Sequence, residues 1–205
     1  MNPGINKSFL APDLKVGAFV ERFEREGREV YDHREAIVAK AALGKGKTVA
    51  DIGAGTGLFT PYLSAAVGPK GTVIAVDIVP KFLSHIENRA RELKLKNIST
   101  VLCTAKSSRL KPGSVDLVFI CDTYHHFEYP QSTLQSIHKA LRPGGEIYLI
   151  EFKRIKGESS DWIMNHVRAG EEVFAKEIEN AGFEKIGRVD LLKDNYILRF
   201  RKRAK

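Results

Sequence analysis

The stretch that most restricts the fold of this chain is Thr48-Val-Ala-Asp-Ile-Gly-Ala-Gly-Thr-Gly57. A short apolar strand reaches an acid, Asp51, and three alternating glycines follow at once. Gly53, Gly55 and Gly57 let the backbone turn tightly and lie against a ligand, because no Cβ intervenes. A helix is expected to open at Gly57-Leu58, so that its first N–H groups and positive dipole end point into the same crevice. Strand, glycine turn and helix together make a nucleotide-type cofactor site.

The pattern around the turn is a regular alternation. Strands are expected over 48–52, 72–76, 98–103, 115–121 and 146–152, and helices over 58–67, 80–93 and 130–141, with Pro80 and Pro130 in first turns. The strands are apolar nearly throughout, so both faces should be buried, which argues for a parallel sheet covered on both sides by helices. After residue 153 the pattern changes. A helix over 170–181 precedes two strands, 183–189 and 196–200, read as a hairpin added at one edge. The fold expected is therefore α/β, a Rossmann-like, mostly parallel sheet with helices on both faces and a C-terminal antiparallel hairpin. Residues 14–43 carry Val16, Phe19, Val20, Phe23, Val30, Ile37 and Val38 at helical spacing, with Gly27 as a break. Residues 1–43 are expected to form a helical cap over the cofactor, and the irregular segment 153–169 a substrate lid.

With 205 residues, 43% of them hydrophobic, the chain suits one globular domain with a sizeable core. Its longest apolar runs are too short to span a bilayer, and residues 1–7 contain no apolar signal region. Cys103 and Cys121 lie in or beside strand-like segments and read as free thiols in a reducing compartment, so a cytoplasmic location is expected. The net charge of +8 permits an anionic partner without requiring one. The basic tail 199–205 reads as a solvated end, and nucleic acid is not an expected partner.

The spacing in the turn narrows the ligand. In a dinucleotide fingerprint, G-x-G-x-x-G, the third glycine would fall at 58, where this chain has Leu58. The lysine of a P-loop is missing as well. Asp77, closing Thr72-Val-Ile-Ala-Val-Asp77, is placed to accept hydrogen bonds from a ribose diol. Asp51 would repel a pyrophosphate but suits a cationic ligand.

Taken together, Asp51-Ile-Gly-Ala-Gly-Thr-Gly57, Asp77, Leu141-Arg-Pro-Gly-Gly-Glu-Ile-Tyr148 and Asp122-Thr-Tyr-His-His-Phe127 resemble the class I S-adenosylmethionine-dependent methyltransferases. The local flavour is similar to the bacterial small-molecule branch that includes the ubiquinone/menaquinone methyltransferases. The resemblance covers residues 42–183 and implies a seven-stranded sheet, S-adenosylmethionine as cofactor and a small-molecule methyl acceptor. It assigns Asp51, Gly53, Ala54, Gly55, Thr56 and Gly57 to the methionine part of the cofactor, Asp77 to the ribose, Ile78 to the adenine face, and Thr104 and Ala105 to the adenine edge. Many relatives carry an Asp near that edge, whereas this chain has Thr104 and Lys106. Cys121 and Asp122 border the same site. In relatives a helix before the first strand closes over the cofactor, which makes Tyr31 a contact, while Arg28, His33 and Arg34 read as a solvated face.

Methyl transfer from a sulfonium is an in-line displacement whose leaving thioether needs no proton, so the enzyme mainly aligns reactants and excludes water. A base is needed only where the nucleophile must lose a proton. His125 and His126 are the candidate bases. Tyr124 is a second candidate, or a ring for the sulfonium. Glu151 is a further base or a partner for Arg154. Trp162, His166 and Arg168 in the lid are expected to wall the acceptor pocket. Asp122, His125, His126, Glu151 and His166 also offer N and O donors, but adjacent histidines are not a specific ligand spacing, and no metal is expected. Two other functions stay open: methylation of RNA or protein, although the Asn/Asp-Pro-Pro-Tyr pattern of amino-directed enzymes is replaced by Asp122-Thr-Tyr-His125, and a non-catalytic cofactor-binding module.

Overall fold

The computed structural model describes residues 3–204. Three short helices, α1 (Val16–Phe23), α2 (Glu29–Asp32) and α3 (Arg34–Lys40), precede the alternation β1 (Thr48–Ile52), α4 (Thr60–Val67), β2 (Thr72–Asp77), α5 (Pro80–Glu92), β3 (Ile98–Leu102) and β4 (Val115–Cys121). A 3₁₀ turn, Tyr124–His126, then leads to α6 (Pro130–Ala140) and β5 (Leu141–Phe152). The chain closes with α7 (Asp161–His166), α8 (Glu171–Asn180), β6 (Phe183–Val189) and β7 (Asn195–Lys202).

The seven strands lie in the order β3-β2-β1-β4-β5-β7-β6. β1 to β5 run parallel, and β7 inserts antiparallel between β5 and β6. Successive strand residues face opposite sides, and here both sides are apolar. In β4, Val118 and Ile120 pack into one core layer with Leu134, Ile137 and Phe174, while Leu117 and Phe119 pack into the other with Ile37, Leu63 and Val67. Ile147 and Leu149 of β5 join the first layer, and Tyr148 and Ile150 the second. Each such fully buried side chain contributes about 1.5–3 kcal/mol of hydrophobic stabilisation. Strand order reverses beside β1: β2 and β3 lie to one side, and β4 and β5 to the other. The carboxyl ends of β1 and β4 therefore flank the crevice in which ligands of open α/β sheets bind.

Several boundaries differ from the sequence expectation, each for a local reason. The helical run before β1 is three short pieces, divided at Gly27 and at the His33 junction. α4 begins at Thr60 rather than at the last glycine of the turn, with Pro61 in its first turn. β5 begins at Leu141: this residue pairs with Val115, the Arg-Pro-Gly-Gly stretch loops out, and pairing resumes at Glu146 opposite Leu117. Segment 153–169 is no open loop. It contains α7, capped by Ser160, whose Oγ accepts the Ile163 N–H at 3.3 Å. The basic tail is largely strand: Arg199 and Arg201 pair with Glu146, and residue 205 lies outside the described residues. Cys103 and Cys121 are free and half-buried. Among the described residues no helix is long and apolar enough to cross a membrane.

Candidate active site

A cavity of about 550 Å³ opens at the carboxyl ends of β1, β2 and β4. Its size is that of a small-molecule pocket. On one side the glycine turn shapes it. The N–H groups of Gly53 and Ala54 donate to the Val76 carbonyl (2.7 and 3.1 Å), binding the turn to β2. The Gly55 N–H donates to Asp77 Oδ2 (2.8 Å), and the Val79 N–H donates to Oδ1 (2.8 Å). Gly53 has φ +70°, and a Cβ there would lie 2.1 Å from the Thr123 methyl. Gly55 has φ +55° and faces the Phe23 ring at ordinary contact distance. Gly57 does not line the cavity: a Cβ there would meet Ile86 at 2.7 Å, so this glycine serves helix packing.

Three buried carboxylates border this side. Burial pushes Asp51 up to about 7, helped by the charge of Asp77. Asp77 rises to about 6 by burial, opposed by its backbone hydrogen bonds. Asp122, at φ +48°, rises to about 6 through burial, moderated by Arg28. Its Oδ2 pairs with Arg28 (2.7 Å), and its Oδ1 accepts from Asn195 (2.6 Å). Thr56 lines the cavity, and its Oγ is buried with no partner among the described residues. A set of buried carboxylates beside a glycine turn that admits a close backbone approach suits a cationic ligand that also carries hydroxyls, and S-adenosylmethionine is such a ligand. Ile78, Thr104, Ala105 and Cys121 also line the cavity. Lys106 turns away and lies 4.7 Å from the Tyr129 ring centre.

On the other side, imidazoles converge. His125 is 1% exposed, and its Nδ1 lies 2.8 Å from Glu151 Oε2. The same carboxylate oxygen accepts the His125 backbone N–H (3.1 Å), and Oε1 accepts the Phe152 N–H (2.9 Å). Glu151 is fully buried, and thus holds His125 rather than Arg154, whose guanidinium donates to the Met164 carbonyl. His126 Nε2 lies 3.3 Å from His166 Nε2. Burial, reinforced by the neighbouring His125, His166 and Arg22, lowers His126 to about 3. Burial and the charges of His125 and Arg22 also lower His166. Trp162 stacks on His166 at 4.6 Å.

The structure places the remaining predicted residues elsewhere. Tyr124 is fully buried behind the cavity, donating to Glu177 Oε2 (2.9 Å), and burial and Glu177 push its phenol up. Arg168 forms a two-pronged pair with Glu177 (2.8 and 2.6 Å) and does not line the cavity. Tyr31 lies outside it too, under the Arg34 guanidinium. Arg28, read as solvated, lines the cavity instead.

Sequence reasoning did not single out Thr123 or, within the segment 1–43 expected as a cap, the cavity-lining residues Asn6, Phe9, Phe19 and Phe23, nor Asn195, which donates to Asp122. Asn6 Nδ2 donates to the His126 carbonyl (3.1 Å) and to Glu128 (3.1 Å), and Phe9 meets the His126 ring edge-on. The available signals were the helical spacing that includes Phe19 and Phe23 and the further aromatic residue at 9.

The model of the methyltransferase domain family matches residues 50–149. The ubiquinone/menaquinone biosynthesis C-methyltransferase of Pasteurella multocida is 32% identical over 111 residues, which cover 54% of this chain and 41% of that protein. The demethylmenaquinone methyltransferase of Lactococcus lactis is 32% identical over 106 residues, covering 52% and 42%. The matched stretch spans less than half the length of these relatives. In fold, the chain is similar to a SAM dependent methyltransferase from Aquifex aeolicus (TM-score 0.81, 23% identity, 92% of this chain and 98% of that one).

Proposed function

We propose that this chain is a class I S-adenosylmethionine-dependent methyltransferase that transfers a methyl group to a small-molecule acceptor inside the cavity, a reading supported by the match of residues 50–149 to the methyltransferase domain family. When bound, the cofactor supplies a methyl group made electrophilic by a sulfonium. The glycine turn, Asp51 and Asp77 are the residues that would hold it, and Ile78, Thr104 and Ala105 would flank its base. The observation that carries this reading is one cavity with two unlike walls, buried acids and a glycine turn at the ends of β1 and β2, and a buried imidazole–carboxylate pair at the ends of β4 and β5.

The chain's own contribution on the acceptor side is proton handling and exclusion of water. Glu151 fixes the orientation of His125 and stabilises the charge that the imidazole acquires on accepting a proton, as the acid does in a Ser-His-Asp triad. The acceptor class this supports is a molecule that loses a proton as it is methylated, such as an enol or a phenol. Ile5 and Asn6 line the cavity, Asn6 tied to Glu128 and the His126 carbonyl, and Phe9, Phe152 and Trp162 supply apolar contact. A concave pocket of about 550 Å³ favours a small acceptor over RNA or protein. A cytoplasmic location belongs to the same proposal, supported by the two free thiols.

The test is labelled-methyl transfer from S-adenosylmethionine to a panel of small enols, phenols, amines and thiols, beside RNA and protein. Transfer to a small acceptor, lost on His125→Ala with cofactor binding retained, supports the reading. Turnover confined to macromolecules, or cofactor binding without turnover on any acceptor, contradicts it.

A further inference from the structure

The acceptor wall contains more imidazole than one proton transfer needs. A ring nitrogen from each of His125, His126 and His166 lies within 4.8 Å of the other two. All three side chains line the cavity. Glu151 occupies His125 Nδ1, so Nε2 is the nitrogen that His125 can offer to a ligand. A carboxylate behind the far nitrogen of an imidazole is the usual support of a metal-bound histidine: it fixes the tautomer and raises ligand basicity.

The His126–His166 separation of 3.3 Å matches two nitrogens of a tetrahedral site, where bonds of about 2.0–2.1 Å set neighbours about 3.3 Å apart. Bringing the third nitrogen to that spacing requires a shift of at most about 1.5 Å from the 4.8 Å bound. Without a ligand the arrangement is poorly satisfied: the His126 and His166 Nε2 atoms face each other at 3.3 Å with at most one proton to share.

We propose that His125, His126 and His166 bind one first-row divalent transition metal, with Zn²⁺ as the fitting case, and that its fourth position opens into the cavity toward an oxygen of the acceptor. Three neutral imidazoles suit zinc and its neighbours rather than magnesium or calcium, which take oxygen ligands. Three protein ligands and an open position are the pattern of catalytic rather than structural zinc. Ion binding does not depend on the methyl-transfer reading; its role does. In that role a hydroxide held at the ion's open position would take the acceptor hydroxyl's proton and leave as water while the acceptor oxyanion takes its place, and His125 would serve as ligand instead of base. His166 lies on α7, so the ion also ties the 153–169 segment to the end of β4.

Trp162, the single tryptophan, reports on the site because it stacks on His166. Full-length protein stripped with a chelator is titrated with Zn²⁺ and Co²⁺, following heat, tryptophan emission and, for Co²⁺, visible absorption, with S-adenosylmethionine binding measured on the same samples. The expected result is a single ion per chain, quenching of Trp162 by Co²⁺ and the intense visible bands of tetrahedral cobalt. His166→Phe keeps an aromatic partner for Trp162 yet should weaken the ion by more than about 100-fold. Glu151→Gln, which removes only the supporting charge, should weaken it about 10- to 100-fold. His33→Ala, at an exposed histidine, should leave it unchanged. Retained cofactor binding shows that each variant is folded. No saturable binding by wild-type protein that still binds the cofactor, or equal binding by His166→Phe, overturns the proposal. Loss of cofactor binding with the ion retained would instead count against the methyl-transfer reading alone.

Discussion

The two walls of the cavity are built by different means. The wall at β1 and β2 comes mainly from one piece of chain, residues 51–79, with Thr104, Ala105 and Asp122 at its border, and its main contacts involve backbone N–H groups: Gly53 and Ala54 to Val76, and Gly55 and Val79 to Asp77. The opposite wall comes from four separated segments, represented by Phe9, His125, Phe152 and the α7 pair Trp162 and His166, and its contacts are largely between side chains. A wall made of backbone tolerates little substitution, because the turn admits no Cβ at Gly53. A wall made of side chains can be altered one group at a time. Perturbing the first should therefore harm folding and cofactor binding together, whereas perturbing the second should harm turnover alone.

The largest expected effect is at Gly53. An alanine there adopts a left-handed φ and drives its Cβ to 2.1 Å from the Thr123 methyl. Left-handed strain of about 1–2 kcal/mol and overpacking of about 1–3 kcal/mol add to a loss of roughly 2–5 kcal/mol in urea unfolding. Adding Thr123→Gly should recover the packing share. If Gly53→Ala is neutral, the backbone account of this wall fails. Next in size is Glu151→Gln, expected to lower turnover by about 100-fold or more while the cofactor Kd stays within about threefold. Equal damage to both would erase the distinction between the walls.

A smaller effect concerns pH. Asp51 stands at about 7 in the folded protein, above its ordinary value of 3.8. Between those values the folded state holds a proton that the unfolded state has released, so stability is greatest below the window and falls as pH rises through it. A cationic cofactor favours the carboxylate, so its binding at pH 6.5 should release a fraction of a proton. That release is read as a dependence of the calorimetric enthalpy on buffer ionisation heat, and Asp51→Asn should reduce it along with the fall in stability, the remainder coming from Asp77 and Asp122. The smallest effect is at Trp162, which is 46% exposed. Trp162→Ala should raise the acceptor KM a few-fold and leave kcat and cofactor binding unchanged.

The same contrast governs what could be read without coordinates. The turn, Asp77 and the parallel alternation were legible because each depends on near neighbours in sequence. The orientation of Tyr124, His125 and His126 was not. In a 3₁₀ turn, successive side chains point about 120° apart, so Tyr124 goes to Glu177, His125 to Glu151 and His126 to the cavity. Sequence proximity made all three equal candidates, and only the surrounding strands separate them. Arg168 and Arg28 exchanged expected roles for the same reason, since their carboxylate partners Glu177 and Asp122 are fixed by the packing of α8 and by β7. The entry of β5 at Leu141 was hidden because Arg142-Pro-Gly-Gly145 reads as a turn, yet it loops out of a strand already begun.

Calorimetric titration with S-adenosylmethionine of wild-type, Asp77→Ala and Glu151→Gln proteins is the most direct test that one cavity joins a cofactor wall to a chemical wall. The account predicts one site per wild-type chain, loss of binding in Asp77→Ala, and near wild-type binding in Glu151→Gln. Absence of binding to the wild type, or equal loss in both variants, would contradict it.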